Sequence, residues 1–337
     1  MLKDITVSSS PHIGHRYSTR AVMFDVIIAL LPALVMAGYF FRQYALILVA
    51  TCVLTCVATE FLCNWMLKRP SSLGDFSAVI TGLILAFSVP PALPWWAAVI
   101  GSAFAIAIGK MVFGGLGANI FNPAMIGRAF LTASFGMMMT TWTVPATIDA
   151  AMPVISGASQ SVDARTQATP LAWSKEAIKH KADVKVVNSQ LKDMVIGDVG
   201  GCLGETSVLA LLIGGIYLLI RKTISFHIPL AVLLSAFVFA SIAYAINPEA
   251  NMTPLAHLTA GGLVICAFFI ATDPVTAPLT KRGMWIFGIG VGTLTMLIRI
   301  VGEYPGGVMY AVLLMNTFTP MIDRMCRRIP AGGKPNV

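Results

Sequence analysis

Long apolar runs separated by short polar breaks fill this chain of 337 residues. Ten runs stand out, at about 21–41, 44–66, 73–90, 95–112, 120–139, 207–220, 228–246, 257–272, 284–301 and 305–322. A helix needs roughly 20 apolar residues to cross the hydrocarbon of a bilayer, and most of these runs approach that length. The pattern predicts an all-α polytopic membrane protein with about ten transmembrane helices. Several runs are interrupted, notably at Pro90-Pro91, Gly114-Gly115, Asn122-Pro123 and Asp273-Pro274. The one long polar stretch lies between the fifth and sixth runs. The chain therefore divides into a polar arm at 1–20, a membrane unit at 21–139, a polar loop at 140–206, a second membrane unit at 207–322 and a tail at 323–337.

The two membrane units look related. Ser77-Ala78-Val79-Ile80-Thr81-Gly82 and the apolar residues after it precede Pro90-Pro91, while Thr259-Ala260-Gly261-Gly262-Leu263 begins the run before Asp273-Pro274. Gly114-Gly115 ahead of Asn122-Pro123 is loosely echoed by Gly306-Gly307 ahead of Asn316 and Pro320. With five runs each, the halves enter the membrane in opposite orientation. The expectation is two inverted five-helix repeats whose broken helices meet near the midplane. Proline and paired glycine at depth free backbone groups that protein or a wet cavity must satisfy. At Pro90-Pro91 an ordinary turn outside the membrane is an equal reading. Arg128, a cation inside an apolar run, needs a partner or an anionic ligand.

Composition agrees. The chain is 57% hydrophobic and 11% charged, whereas soluble domains carry about a quarter charged residues. The first twenty residues are polar and hold no apolar signal core, so no cleaved leader is expected. A net charge of +8 invites a nucleic-acid reading, but the basic residues cluster at run ends, which excludes it. Fourteen of them fall on one side: Lys3, Arg16, Arg20, Lys68, Arg69, Lys110, Arg221, Lys222, Lys281, Arg282, Arg324, Arg327, Arg328 and Lys334. The opposite short loops carry Arg42 alone. This asymmetry puts both termini in the cytoplasm and residues 140–206 outside it, a loop long enough to cross whatever its charge.

The cysteines are scattered. Cys52, Cys56 and Cys63 share a helix face and read as small buried hydrophobes, with no paired spacing for a cluster or zinc. Acids in or near the runs are Asp25, Glu60, Asp75, Asp273 and Glu303. Ionisable groups at depth mark ion or proton routes, so Asp25, Glu60 and Asp273 are candidates for an ion path. The alternative pairs them structurally with Arg20, Arg128 or Arg299.

In the polar loop, Asp163-Ala164-Arg165-Thr166-Gln167-Ala168-Thr169-Pro170 frames a hydroxyl with small residues. Such a threonine suits covalent modification, or is simply one of many in a loop. Together with Ser10-Pro11-His12, Gly201-Cys202-Leu203-Gly204-Glu205-Thr206-Ser207, His227-Ile228-Pro229 and Ala271-Thr272-Asp273-Pro274-Val275, it resembles the D subunit of the Rnf electron-transport complex, called Rsx in some bacteria. The resemblance covers essentially the whole chain. It implies an FMN joined through a phosphoester to Thr169, with Asp163, Thr166 and Ala168 matching the attachment pattern. Gln167 departs from it, since a small residue is usual there, and Thr166 remains a fallback acceptor. Glu205 and Thr206 then contact the flavin, or with Ser207 simply start the next helix. A second, non-covalent flavin, riboflavin or FMN, is implied on the cytoplasmic side at residues the sequence does not locate.

The resemblance also implies a place in the bacterial cytoplasmic (inner) membrane, among the A, B, C, E and G subunits of Rnf. A flavin transferase would mature the chain, and lipid would surround it. The implied function is to relay electrons across the membrane within a ferredoxin:NAD oxidoreductase that moves Na⁺ or H⁺. The chain would not turn over NADH alone, for it lacks a dinucleotide fingerprint. Rival readings are the B subunit of the sister sodium-pumping, quinone-reducing complex, which has a longer N-terminal arm, and a cofactor-free solute channel.

Overall fold

The computed structural model describes residues 18–142, 169–179, 191–197, 199–205, 207–248, 251–302 and 306–326. Every regular element among them is a helix. The first, α1 (Thr19–Met66), starts where the Ser18 hydroxyl accepts the Ala21 N–H at 3.2 Å. Its 48 residues would make a straight rod of roughly 72 Å, over twice the hydrocarbon thickness. It is not straight. Arg42 has φ 51° and ψ −134°, which no helix accommodates. A Cβ on Gly38 would lie 4.0 Å from the Leu46 side chain. Residues eight apart along a helix are separated by about 12 Å, so the chain folds back at Arg42. The two legs of this hairpin are the first two apolar runs, and Arg42 stands at the tip.

The rest of the first unit is α2 (Ser77–Phe87), α3 (Trp95–Ile106) running on into a π turn at Ala107–Met111, α4 (Pro123–Ser134) and the single turn α5 (Gly136–Met139). The described parts of the polar loop hold α6 (Pro170–Lys179) and α7 (Leu191–Ile196). The second unit contains α8 (Val208–Ile220), α9 (His227–Ile246), α10 (Pro254–Thr259), α11 (Leu263–Ile265) continuing into a second π turn at Cys266–Ile270, α12 (Lys281–Ile300) and α13 (Val308–Met325).

Helices α1, α9 and α12 are long and apolar enough to cross a bilayer, and α2, α3 with its π turn, and α8 are shorter apolar helices. Large apolar side chains cover their outer faces, among them Val35, Leu54, Ile213, Leu234 and Ile289. That is the surface of an integral membrane protein, since water-facing monomers rarely expose so much. The runs expected at 73–90, 120–139 and 257–272 are broken. The run at 73–90 yields 11 helical residues before the chain turns at Ser88 to Leu93. The run at 120–139 is interrupted at Phe135. The run at 257–272 splits at Ala260 to Gly262, where Gly261 takes φ 70°.

Helix α1 packs on α2, α3 and α8, α9 on α12, and α4 on α3 and α13. Phe40, Phe41, Leu85, Phe87 and Phe287 are buried in the shared core, as is Cys52; Cys56 is buried in a separate cluster with Ala78, Ile106 and Met111, whereas Cys63, also expected to be buried, is only half-buried. Part of the polar loop belongs to the body. Leu171 and Met194 cluster with Met252, Ala256 and Ala260 of the second unit.

Candidate functional site

Helix α4 begins at Asn122, whose Oδ1 accepts the N–H groups of Ala124 (3.0 Å) and Met125 (3.3 Å), with Pro123 in the first turn. Asparagine before proline is a strong helix start, since the cap fills orphan donors and proline lacks one. The Asn122 amide also donates to the Ile270 carbonyl at 3.3 Å, tying α4 to the π turn of the other half.

Two pockets border this helix. The larger lies at its N-terminal end. Ile80, Ile84, Phe268 and Phe269 make its apolar walls, and Thr81, Asn119, Asn122, Thr272 and Asp273 give polar groups. Asn119 donates to the Phe121 carbonyl at 3.1 Å, while its own buried Oδ1 has no hydrogen-bond partner among the described residues. Asp273 holds the turn after the π segment, accepting from the Val275 N–H (3.1 Å) and the Thr276 hydroxyl (3.2 Å). Both π turns reach this cavity, one through Lys110 and the other through Phe268 and Phe269. Such turns recur at functional sites because they displace side chains from the regular helix surface.

The smaller pocket is lined by Arg128, Thr140, Trp142, Thr169, Leu171, Glu205 and Gly306. Thr169 directly precedes α6, and its hydroxyl accepts the Ala172 N–H at 3.1 Å, as a helix cap does. It is only 5% exposed. The hydroxyl that the sequence places in a polar loop is therefore tucked against the body. The cause is Pro170, which begins α6, and Leu171, which anchors it in the apolar cluster.

Arg128 is buried, and its guanidinium donates to Cys202 Sγ at 3.7 Å. Glu205 ends a short 3₁₀ turn, Leu203–Glu205, and accepts weakly from the Cys202 N–H at 3.4 Å. Ser207 caps α8 through Ala210 at 3.2 Å, so the helix-start reading holds there, while Glu205 faces the pocket. Gly204 allows a close approach, for a Cβ there would stand 2.8 Å from the Phe87 carbonyl oxygen. Cys202 Sγ donates to the Ser88 carbonyl (3.3 Å) and the Leu203 N–H to that of Val89 (3.4 Å). The segment thus serves carbonyls left over where α2 stops. Asp163, Thr166, Gln167, Ala168 and Thr206 lie outside the described residues.

The membrane acids have different partners from those expected. Asp25 accepts from Arg221 (3.2 and 3.3 Å), Tyr217 (3.2 Å) and Thr223 (3.1 Å). Glu60, fully buried, pairs with Lys110 at 2.7 Å. Asp75 receives the Ser77 N–H at 2.8 Å, and Glu303 is outside the described residues. Arg299 meets carbonyls, donating to His257 (2.7 Å) and Ala260 (3.1 Å) at the end of α10. Lys110 reads as a flanking charge in the sequence, but it is buried. Removing it leaves the charge asymmetry intact. The signal that betrays it is the apolar sequence on both sides of this lysine. Asn119 and Thr81 carry no signal, because only folding brings their segments together.

The fold defines a helical membrane protein with two internal pockets on one broken helix. The model of the NQR2, RnfD, RnfE family matches residues 6–332, and the chain belongs to that family. It is 46% identical over 327 residues to the D subunit of the Na⁺-translocating ferredoxin:NAD⁺ oxidoreductase complex of Acetobacterium woodii, covering 96% of this chain and 94% of the relative. It is 40% identical over 330 residues to the D subunit of the proton-translocating ferredoxin:NAD⁺ oxidoreductase complex of Clostridium ljungdahlii, covering 97% and 96%. It is also 40% identical over 339 residues to the D subunit of the ion-translocating oxidoreductase complex of Stutzerimonas stutzeri, covering 96% of each.

Proposed function

We propose that this chain is the flavin-carrying membrane subunit of an ion-motive ferredoxin:NAD oxidoreductase, working with the other Rnf subunits in the bacterial inner membrane. The names of its relatives support the complex. The observation that carries the flavin role is the Thr169 hydroxyl, which lines a pocket beside the buried Arg128 guanidinium.

The residues fit a phosphoester. A phosphate on Thr169 would sit at the N-terminus of the 10-residue α6, where backbone N–H groups and the helix dipole favour an anion. Arg128 would add a fixed positive charge, and Trp142 an aromatic surface. The larger cavity suits the second flavin, riboflavin or FMN. It has apolar and aromatic walls for a tricyclic ring, and Asn119 keeps an unpaired buried oxygen for a ring N–H. When bound, the flavins supply the electron-accepting chemistry, and the chain attaches, orients and insulates them.

Asn122 and Arg128 stand six residues apart on α4, a rise of roughly 9 Å, so the two sites would be near neighbours along one helix. In this reading the broken helices belong to two inverted five-helix repeats of about ten spans. The basic face, with both termini, is cytoplasmic, and residues 140–206 lie outside and receive FMN from a flavin transferase. Of the three candidate acids, Asp273 borders the cavity, and a transported cation would meet it there.

Denaturing gels of the membrane complex test the attachment. Flavin fluorescence on this chain should vanish in Thr169→Ala and survive in Thr166→Ala. The peptide containing Thr169 should carry the mass of one FMN phosphoester. Full fluorescence in Thr169→Ala would overturn the assignment.

A further inference from the structure

We propose that Lys110, Glu60 and Ser77 form a proton relay joining the polar segment at 67–76 to the larger cavity. This rests on the reading of that cavity as a flavin site.

The connection is continuous. Lys110 Nζ donates to Glu60 Oε2 at 2.7 Å and to Ser77 Oγ at 2.6 Å. On the outer side the Ser72 hydroxyl donates to Glu60 Oε1, and the Asn64 amide donates to Ser72 at 2.9 Å. A second branch runs from the Ser77 hydroxyl to Asp75 Oδ1 at 2.5 Å. Exposure is graded in the same order. Glu60, Lys110 and Ser77 are buried, Ser72 and Asp75 are partly exposed, and Pro70, Ser71 and Gly74 beside them are exposed. At the inner end, Lys110 and Ser77 both line the cavity. An ammonium has three N–H groups, and two are used by Glu60 and Ser77. The third remains for the cavity.

Stability does not explain this pair. Removing two charges from water costs more than their attraction usually returns, and apolar replacements of buried pairs are often as stable or more so. The lysine also sits in a π turn, with the Val112 N–H bonded to the Ala107 carbonyl at 3.0 Å, and not in a regular helix. Unlike arginine, lysine can exchange its proton in a buried site, which is why it serves as a proton carrier in active sites. Proton routes through membranes are built from such paired groups.

Adding two electrons to a flavin consumes at least one proton at a ring nitrogen. The electrons come from a one-electron carrier elsewhere in the complex. With the flavin bound, Lys110, oriented by its bond to the Ser77 hydroxyl, would give up a proton from Nζ toward the cavity and become an amine. Glu60, protonated from the polar face by way of Ser72, returns a proton to Nζ. The net result is one proton moved from the polar face to the cavity, with Lys110 and Glu60 restored. Asp75, bonded to Ser77, and Asp273, across the cavity, are the other acids bordering the route.

The test uses the whole complex in a Thr169→Ala background, so that the flavin signal left on this chain comes from the cavity. Acid extraction first counts non-covalent flavin. Stopped-flow reduction by dithionite is then followed in H₂O and D₂O. Lys110→Met and Glu60→Gln should keep the flavin, slow its reduction at least about tenfold and raise the solvent isotope effect, with added imidazole restoring the rate. Ser77→Ala strands no charge and folds if the charge variants do not. It should slow reduction about threefold or more. Wild-type rates and isotope effects in Ser77→Ala, or in a charge variant that retains flavin, would overturn the relay. Absence of extractable flavin from the parent would instead overturn the cavity reading itself.

Discussion

Gly82 sets how closely α2 can approach the second leg of the α1 hairpin. A Cβ at this position would lie 2.7 Å from Val53 Cα, 2.9 Å from Val53 N and 3.0 Å from the Cys52 carbonyl oxygen. All three are backbone atoms of a helix, so no side chain can swing aside. Gly82→Ala must part the helices by roughly 0.7 Å, an overpacking strain of about 1–3 kcal/mol. Alanine regains up to about 1 kcal/mol of helix propensity. Because the obstacle is backbone, strain should win, with a net loss of about 2 kcal/mol. A thermal ramp of the detergent-solubilised protein, read by tryptophan fluorescence, should show a melting point lower by about 3 °C. Gly136→Ala is the control, since nothing lies within 4 Å of its added Cβ. It should leave the melting point within a degree or so, as open surface positions do. The shift has a functional side too. Thr81 and Ile84, on either flank of Gly82, line the larger cavity, so the variant should retain less non-covalent flavin. Gly82→Ala as stable as the parent would refute the reasoning.

Four further variants probe polar anchors of the fold. Arg299→Met strands the carbonyls of His257 and Ala260 and should cost about 3 kcal/mol in the same thermal assay. Asn122→Ala removes both the cap of α4 and the bond to Ile270, so a loss of about 2 kcal/mol is expected, together with faster amide exchange in the first turn of α4. Asp25→Ala deprives Tyr217, Arg221 and Thr223 of their shared acceptor and should cost about 1–2 kcal/mol. Arg221→Ala should cost less than about 1 kcal/mol, because its side chain is 48% exposed and water screens the pair.

Much of this arrangement is legible in the apolar pattern. Both legs of α1 are readable because Arg42 interrupts two runs of membrane length. The breaks at Asn122-Pro123 and Asp273-Pro274 are readable because proline and asparagine leave local signals. Their partnership is not, since the bond from Asn122 to Ile270 spans 148 positions. Lys110 looks like a flanking charge because glycines follow it at 114 and 115, and only packing reveals Glu60 beside it. Thr169 stands out through its small neighbours, but its burial depends on Leu171 meeting Met194, Met252, Ala256 and Ala260. Pairings across the fold leave no periodicity in the chain, and these are the features that escape.

The cap of α4 and the arginine one and a half turns further along are parts of a single 12-residue rod. That rod is gripped by α2, α3 and α13. A short helix held on three sides should move as one piece, so a displacement of Asn122 is expected to carry Arg128 with it. Neither pocket can be reshaped as a private matter, because they share a crossbeam.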